Sequence, residues 1–121
     1  MFMIGLLEDE EFVYSNWEIL AEDSELSCEV LWFEDEQSLN DNLSKIDLLI
    51  VDRNLGDLDI IESGLIPKIR ERFSGPILLS SVANPSKQEK ALFDKILYNK
   101  NPPSIKNLYL FYQQACQPLP L

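Results

Sequence analysis

Four polar clusters in this chain each follow directly on an apolar run: Glu8-Asp9-Glu10, Asp52-Arg53-Asn54, Ser80-Ser81 and Asn99-Lys100. Together they offer carboxylates, hydroxyls and a lysine. Carboxylates crowded at one place repel unless a cation sits among them, and hard oxygen ligands without His or Cys point to magnesium or a similar ion. A carboxylate beside such an ion can attack a phosphoryl group and become an aspartyl phosphate. The charge of the transferring group then needs a fixed cation and a hydrogen-bond donor, which Lys100 and Ser81 could supply.

The runs that precede these clusters are each the length of a strand: Met3–Leu7, Leu48–Val51, Ile77–Leu79 and Ile96–Tyr98, with a fifth at Cys28–Phe33. Leu48–Val51 and Ile77–Leu79 are aliphatic without polar alternation, as strands covered on both faces are. Helical spacing fills the intervals. Val13, Trp17 and Leu20 share one face of a helix from Glu11 to Ala21, Leu39 and Leu43 mark a second, and Ile61, Leu65 and Ile69 a third. Pro67 predicts that this third helix either starts late, with the proline in its first turn, or is kinked. Asn84 and Pro85 read as the cap and first position of a brief helix ending near Phe93, and Ser104 caps a last one to Cys116. Strand and helix alternate throughout, which predicts an α/β fold with a parallel sheet and helices on both faces. Sites in such sheets form outside the carboxyl ends of the strands, where all four clusters fall.

The 121 residues are 45% apolar, enough for one globular domain with its own core. Residues 1–62 hold eighteen acids and two bases, and residues 63–121 three acids and eight bases. Anionic chemistry therefore belongs to the first half and fixed cations to the second. A net charge of −11 argues against nucleic acid as a direct partner, since phosphate contacts need a basic footprint. Histidine is absent, which excludes a Ser-His-Asp triad, a His-ligated zinc site and phosphohistidine on this chain. Cys28 and Cys116 form no metal or redox motif and read as small buried hydrophobes in a reducing compartment, with a long-range disulfide as the alternative. The apolar start is cut off by Glu8 without a basic flank, unlike a signal peptide. No run approaches the roughly 20 apolar residues of a spanning helix. A soluble, cytoplasmic protein with no membrane partner is expected.

The segments Leu6-Leu7-Glu8-Asp9-Glu10, Leu48-Leu49-Ile50-Val51-Asp52, Pro76-Ile77-Leu78-Leu79-Ser80-Ser81 and Tyr98-Asn99-Lys100 resemble, in order, the four signatures of response-regulator receiver domains. Intervals of 43 residues from Asp9 to Asp52, 29 to Ser81 and 19 to Lys100 are close to the family's, the last being slightly short. The resemblance implies a flavodoxin-like (β/α)5 fold with strand order 2-1-3-4-5, a receiver domain over residues 1–116 and a short tail over 117–121, which is expected to fray. It implies that Glu8 and Asp9 hold magnesium (or manganese), that Asp52 is both phosphoacceptor and metal ligand, and that Asn54 lends its backbone carbonyl. Ser81 would swing toward the phosphoryl group and Lys100 would pair with it. The partners implied are a sensor histidine kinase or phosphotransfer protein, which supplies the phosphoryl group, and a downstream effector protein. Such a domain is no enzyme beyond its own phosphorylation and dephosphorylation, and it would stand alone or belong to a longer chain.

Several positions depart from the family pattern. Lys100-Asn101-Pro102-Pro103 replaces a Lys-Pro step, so the family's cis proline would be displaced or absent. Leu97 stands where an aromatic switch residue precedes the lysine by three, with Tyr98 one position late, and Ile60 stands where glycine is common. Serine at 81 in place of threonine keeps the hydroxyl. The altered Lys100-Asn101-Pro102-Pro103 turn and the missing aromatic favour a second reading, a pseudo-receiver that binds partners without phosphate, which the complete acidic set opposes. A small metal-dependent phosphatase is a third, opposed by Asn54 where a second, acid-supplying Asp would stand. The Asp57/Asp59 pair could mimic metal ligands but reads as turn chemistry before the third helix. The last helix carries Ile105, Leu108, Tyr109 and Tyr112 on one face and Leu110 and Phe111 off it, which suggests an interface, a homodimer or a partner contact. Lys87, Lys90, Lys95 and Lys106 lie near the last two helices, where such charges ordinarily solvate a surface or dock a partner.

Overall fold

Leu48, Leu49, Ile50 and Val51 have no exposed face: strand β3 (Leu48–Asp52) is buried at every position. The computed structural model describes residues 1–98 and 103–116. In it β3 lies between β1 (Phe2–Leu7) and β6 (Ile77–Ser81), with β2 (Cys28–Phe33) and β7 (Lys95–Tyr98) at the edges. Every neighbouring pair in this sheet is parallel. Its five strands, counted in chain order, run 2-1-3-4-5, the doubly wound flavodoxin-like arrangement.

Alternation along the central strands sorts the core into two layers. Leu49, Val51, Ile77 and Leu79 pack on one side, with Ile66 and Ile69 of α3 (Leu65–Arg70) and Leu39 of α2 (Glu36–Asn40). Leu48, Ile50 and Leu78 pack on the other, with Trp17 of α1 (Glu11–Asp23) and Ile105 and Leu108 of α5 (Ile105–Cys116). Burial of both sheet faces is what makes these strands uniformly aliphatic.

The helices show where local signals were ambiguous. The second helical segment is split into α2, capped by Asp35 accepting from the Ser38 N–H at 2.8 Å, and a 3-10 turn at Leu43–Lys45. The third starts late, after Gly64 in the left-handed region (φ 77°), so Pro67 sits in the first turn, where its missing N–H costs nothing, and Ile61 lies outside the helix. The helix expected to open at Asn84-Pro85 opens two residues later. In α4 (Lys87–Lys90) Ser86 is the cap, with the reciprocal Ser86–Glu89 capping box in place. Ser104 does cap α5, its Oγ accepting from the Asn107 N–H at 3.2 Å. Neither cysteine is buried as expected: Cys116, at the end of α5, is exposed and Cys28, at the start of an edge strand, is half-buried, and both are free thiols. Of the apolar residues of α5, Tyr109 and Tyr112 have ring centroids 5.2 Å from Phe2, and Leu110 is the exposed large side chain.

An additional element follows β3. Strands β4 (Asn54–Leu55) and β5 (Leu58–Asp59) form an antiparallel hairpin around Gly56-Asp57. Gly56 has φ 62°, which a two-residue hairpin turn of this kind requires. Asp59 then accepts from the N–H groups of Ile61 and Glu62 at 3.0 and 3.3 Å, so its role here is turn chemistry. No helix among the described residues is long and apolar enough to cross a membrane.

Candidate functional site

Strands β1 and β3 are adjacent and parallel, so their carboxyl ends bring Glu8 and Asp9 up against Asp52. One carboxylate oxygen from each of the three lies within 4.8 Å of the others. Glu8 and Asp52 are 1% and 3% exposed, and Asp9 is open to solvent. At that spacing each ionised pair repels by roughly 3 kcal/mol at an effective dielectric near 20. A centre of three oxygen donors with one open side fits a hard divalent cation that keeps some of its waters.

The main chain holds these residues from several directions. The Glu8 N–H donates to the Phe33 carbonyl at 3.0 Å, and the Trp32 indole N–H donates to the Glu8 carbonyl at 2.7 Å. Glu8 Oε1 accepts from the Asp9 and Glu10 N–H groups at 3.1 and 3.2 Å, satisfying two donors at the start of α1. Asp9 Oδ2 accepts from the Gly56 N–H at 2.9 Å, so the hairpin folds over the acidic centre. Asn54, exposed, opens that hairpin two residues past Asp52.

Ser81 ends β6, is 2% exposed, and its Oγ donates to the Ala83 carbonyl at 2.7 Å. Ser80 is the register partner of Asp52 on one side and of Leu97 on the other. Ser81 is instead the partner of Tyr98. Leu97 is buried in the layer beneath α1 and α5, whereas Tyr98 is 44% exposed with the Lys90 Nζ 6.0 Å from its ring. The aromatic beside the hydroxyl is therefore Tyr98, although sequence spacing points to position 97. Lys100, Asn99 and the Asn101-Pro102 part of the turn lie outside the described residues, as does the tail over 117–121.

Sequence reasoning missed Arg53. Its Nη2 and Nη1 donate to Glu89 Oε2 and Oε1 at 2.7 and 3.4 Å, and its Nε donates to Asp59 Oδ2 at 3.4 Å. Glu89 also accepts from the Ser86 N–H at 2.8 Å. That backbone bond first, then the arginine, hold the Glu89 carboxyl below its ordinary range. Burial pushes the Asp59 carboxyl up, but the backbone donors of Glu62 and Ile61, with Arg53, outweigh it and leave Asp59 low. The Ser86-x-x-Glu89 spacing is a capping-box signal that the reading of Asn84-Pro85 passed over, and the 36-residue reach from Arg53 leaves no local signal.

No protein-family model and no curated protein matches the chain. Solved structures do. A CheY-like response regulator receiver domain from Methylobacillus flagellatus is 19% identical with a TM-score of 0.73, over 95% of this chain and 98% of that one. The pseudo-receiver domain of the CikA protein is 18% identical with a TM-score of 0.72, over 98% of this chain and all of that one. The Mn2+-bound response regulator Rcp1 is 16% identical with a TM-score of 0.66, over the whole of both chains. The fold is that of receiver and pseudo-receiver domains.

Proposed function

We propose that the chain is a phosphoacceptor receiver domain of a two-component or phosphorelay system, with Asp52 as the phosphorylated residue. The observation that carries this reading is the Glu8-Asp9-Asp52 cluster at the strand ends of a receiver fold. In this reading Glu8, Asp9 and Asp52, with the Asn54 carbonyl, would hold Mg2+, which would supply neutralising charge for the phosphoryl oxygens. An Asp52 carboxylate oxygen attacks the phosphorus of a partner's phosphohistidine. The O–P bond forms as the P–N bond breaks, and the electron pair leaves with the imidazole. Ser81 gives up its bond to Ala83 and donates to a phosphoryl oxygen, and Lys100 pairs with another. The modified surface then changes affinity for an effector protein. A cytoplasmic setting suits the free thiols of Cys28 and Cys116.

The pseudo-receiver reading keeps support from the altered Lys100-Asn101-Pro102-Pro103 step and from the likeness to the CikA domain. Intact mass after incubation with acetyl phosphate, with and without Mg2+ and beside Asp52→Asn, separates the two. One added phosphoryl group that needs both Mg2+ and Asp52 supports the receiver. No adduct and no Mg2+ binding support the phosphate-independent module.

A further inference from the structure

Arg53 has no part in the chemistry above, yet it ties the segment that carries Asp52 to two other elements. Its carbonyl accepts from the Ile60 N–H at 3.0 Å, closing the base of the hairpin, and its side chain reaches Asp59 within the hairpin and Glu89 in α4. At the tip of the same hairpin the Gly56 N–H holds Asp9. A continuous chain of hydrogen bonds thus runs from a carboxylate of the acidic centre, through the hairpin and Arg53, to Glu89 and the Ser86 cap of α4.

The helix at the far end of that chain has little other support within its own four residues. The four-residue helix α4 buries no side chain. Helices so short do not persist on their own, because nucleation outweighs the few bonds gained. Within α4 the holding contacts are its capping box and the forked Arg53–Glu89 pair, which meet on the Glu89 carboxylate, while just beyond it Leu92 and Phe93 pack on the core. The pair is half-buried, with 21% and 23% side-chain exposure, so its contribution is modest. A modest contribution is enough to set the order of an element that has so little else.

We infer that Arg53 is a positioning residue that couples the charge of the acidic centre to the order of α4. The inference rests on the receiver reading for the source of that charge. A phosphoryl group on Asp52 places about two negative charges, with strong acceptor oxygens, one residue from Arg53. The guanidinium then divides between Glu89 and the phosphoryl group, and α4 loosens. Coupling is reciprocal, so a partner that grips α4 changes how readily Asp52 takes and keeps its phosphoryl group.

Hydrogen exchange over residues 86–93 tests this on the full chain, in wild type, Arg53→Gln and Arg53→Lys, with Mg2+ alone and with Mg2+ and acetyl phosphate. Intact mass is read on the same samples. Without phosphodonor, Arg53→Gln is expected to exchange this segment severalfold faster than wild type, and Arg53→Lys, which keeps charge but not the fork, to fall between. Phosphorylated wild type is expected to approach the Arg53→Gln level, and phosphorylated Arg53→Gln to change no further. Exchange in unphosphorylated Arg53→Gln equal to wild type overturns the inference, as does an equal phosphorylation effect in both proteins. A missing mass adduct is a different failure: it removes the receiver reading and overturns the phosphate coupling, whatever the exchange of the unphosphorylated variants.

Discussion

Ser81 and Tyr98 are register partners across the β6–β7 pairing, which sets a buried hydroxyl at the same level of the sheet as a half-exposed aromatic ring. The Ser81 hydroxyl has a single backbone acceptor in Ala83, at 2.7 Å, and can rotate away from it. A serine that turned toward a phosphoryl group would leave space that Tyr98 borders.

Ser81→Ala is therefore expected to slow phosphoryl gain from acetyl phosphate by roughly tenfold to a hundredfold, the worth of one hydrogen bond to a charged group. Ser80→Ala is expected to stay near wild type. Rates from intact mass against time decide between them, and the reverse order would assign the hydroxyl role to Ser80.

The acidic centre is tested by its response to metal. Asp52→Asn removes one of three carboxylates that lie within 4.8 Å of one another, and it is expected to weaken Mg2+ binding by at least about tenfold. Millimolar Mg2+ is expected to raise the melting temperature of wild type and to leave Asp52→Asn nearly unmoved. Thermal unfolding of both proteins with Mg2+ and with chelator reads the two effects at once.

Acid should undo the Glu89 junction. The Glu89 carboxyl lies below its ordinary range in the fold, so it favours the native state above the unfolded carboxylate value near 4. That contribution is lost as pH falls from there through the depressed native value, because the unfolded chain takes up the proton first. Urea midpoints of wild type and Glu89→Gln are expected to differ at pH 7 and to converge below about pH 4. A gap unchanged at low pH would mean that packing rather than charge sets it.

Two glycines differ in what an added methyl would meet. At Gly75 a Cβ would lie 2.6 Å from the Asp47 carbonyl oxygen and 2.6 Å from Phe73 Cζ. At Gly5 it would lie 2.6 Å from Ile46 Cδ1, the mobile end of a side chain. Gly75→Ala is expected to cost about 1–3 kcal/mol by denaturant unfolding, and Gly5→Ala less. Asp47 precedes the amino end of β3, the end away from Asp52, so the first substitution is expected to lower stability and leave Mg2+ binding near wild type.

The sheet was legible because its signal is dense. Leu48–Val51 and Ile77–Leu79 are aliphatic at every position, and burial on both faces leaves few other ways to read them. Glu8, Asp9 and Asp52 could be brought together on paper because strand ends in a parallel sheet share one edge. The hairpin was not legible, since two-residue strands show no period and only Gly56 marks the turn. The start of α4 was misplaced because Asn84-Pro85 and Ser86-x-x-Glu89 are both sound start signals, and a long-range arginine on Glu89 accompanies the second. The pairing of Tyr98 with Ser81 was not legible for a related reason: strand register, not distance along the chain to Lys100, sets which residue stands beside the hydroxyl.

The indole of Trp32 donates to the Glu8 carbonyl and lies flat on the Tyr14 ring, with centroids 5.0 Å apart and planes 11° from parallel. An indole so fixed has an emission that depends on the polarity and tension of that one bond. Mg2+ binding at Glu8 is therefore expected to shift the emission of Trp32. Trp17, on the buried face of α1, is the other emitter, and replacing it with Phe leaves Trp32 to be read alone. The chain carries its own optical gauge at the acidic centre, built from the same edge strand that holds Glu8 in place.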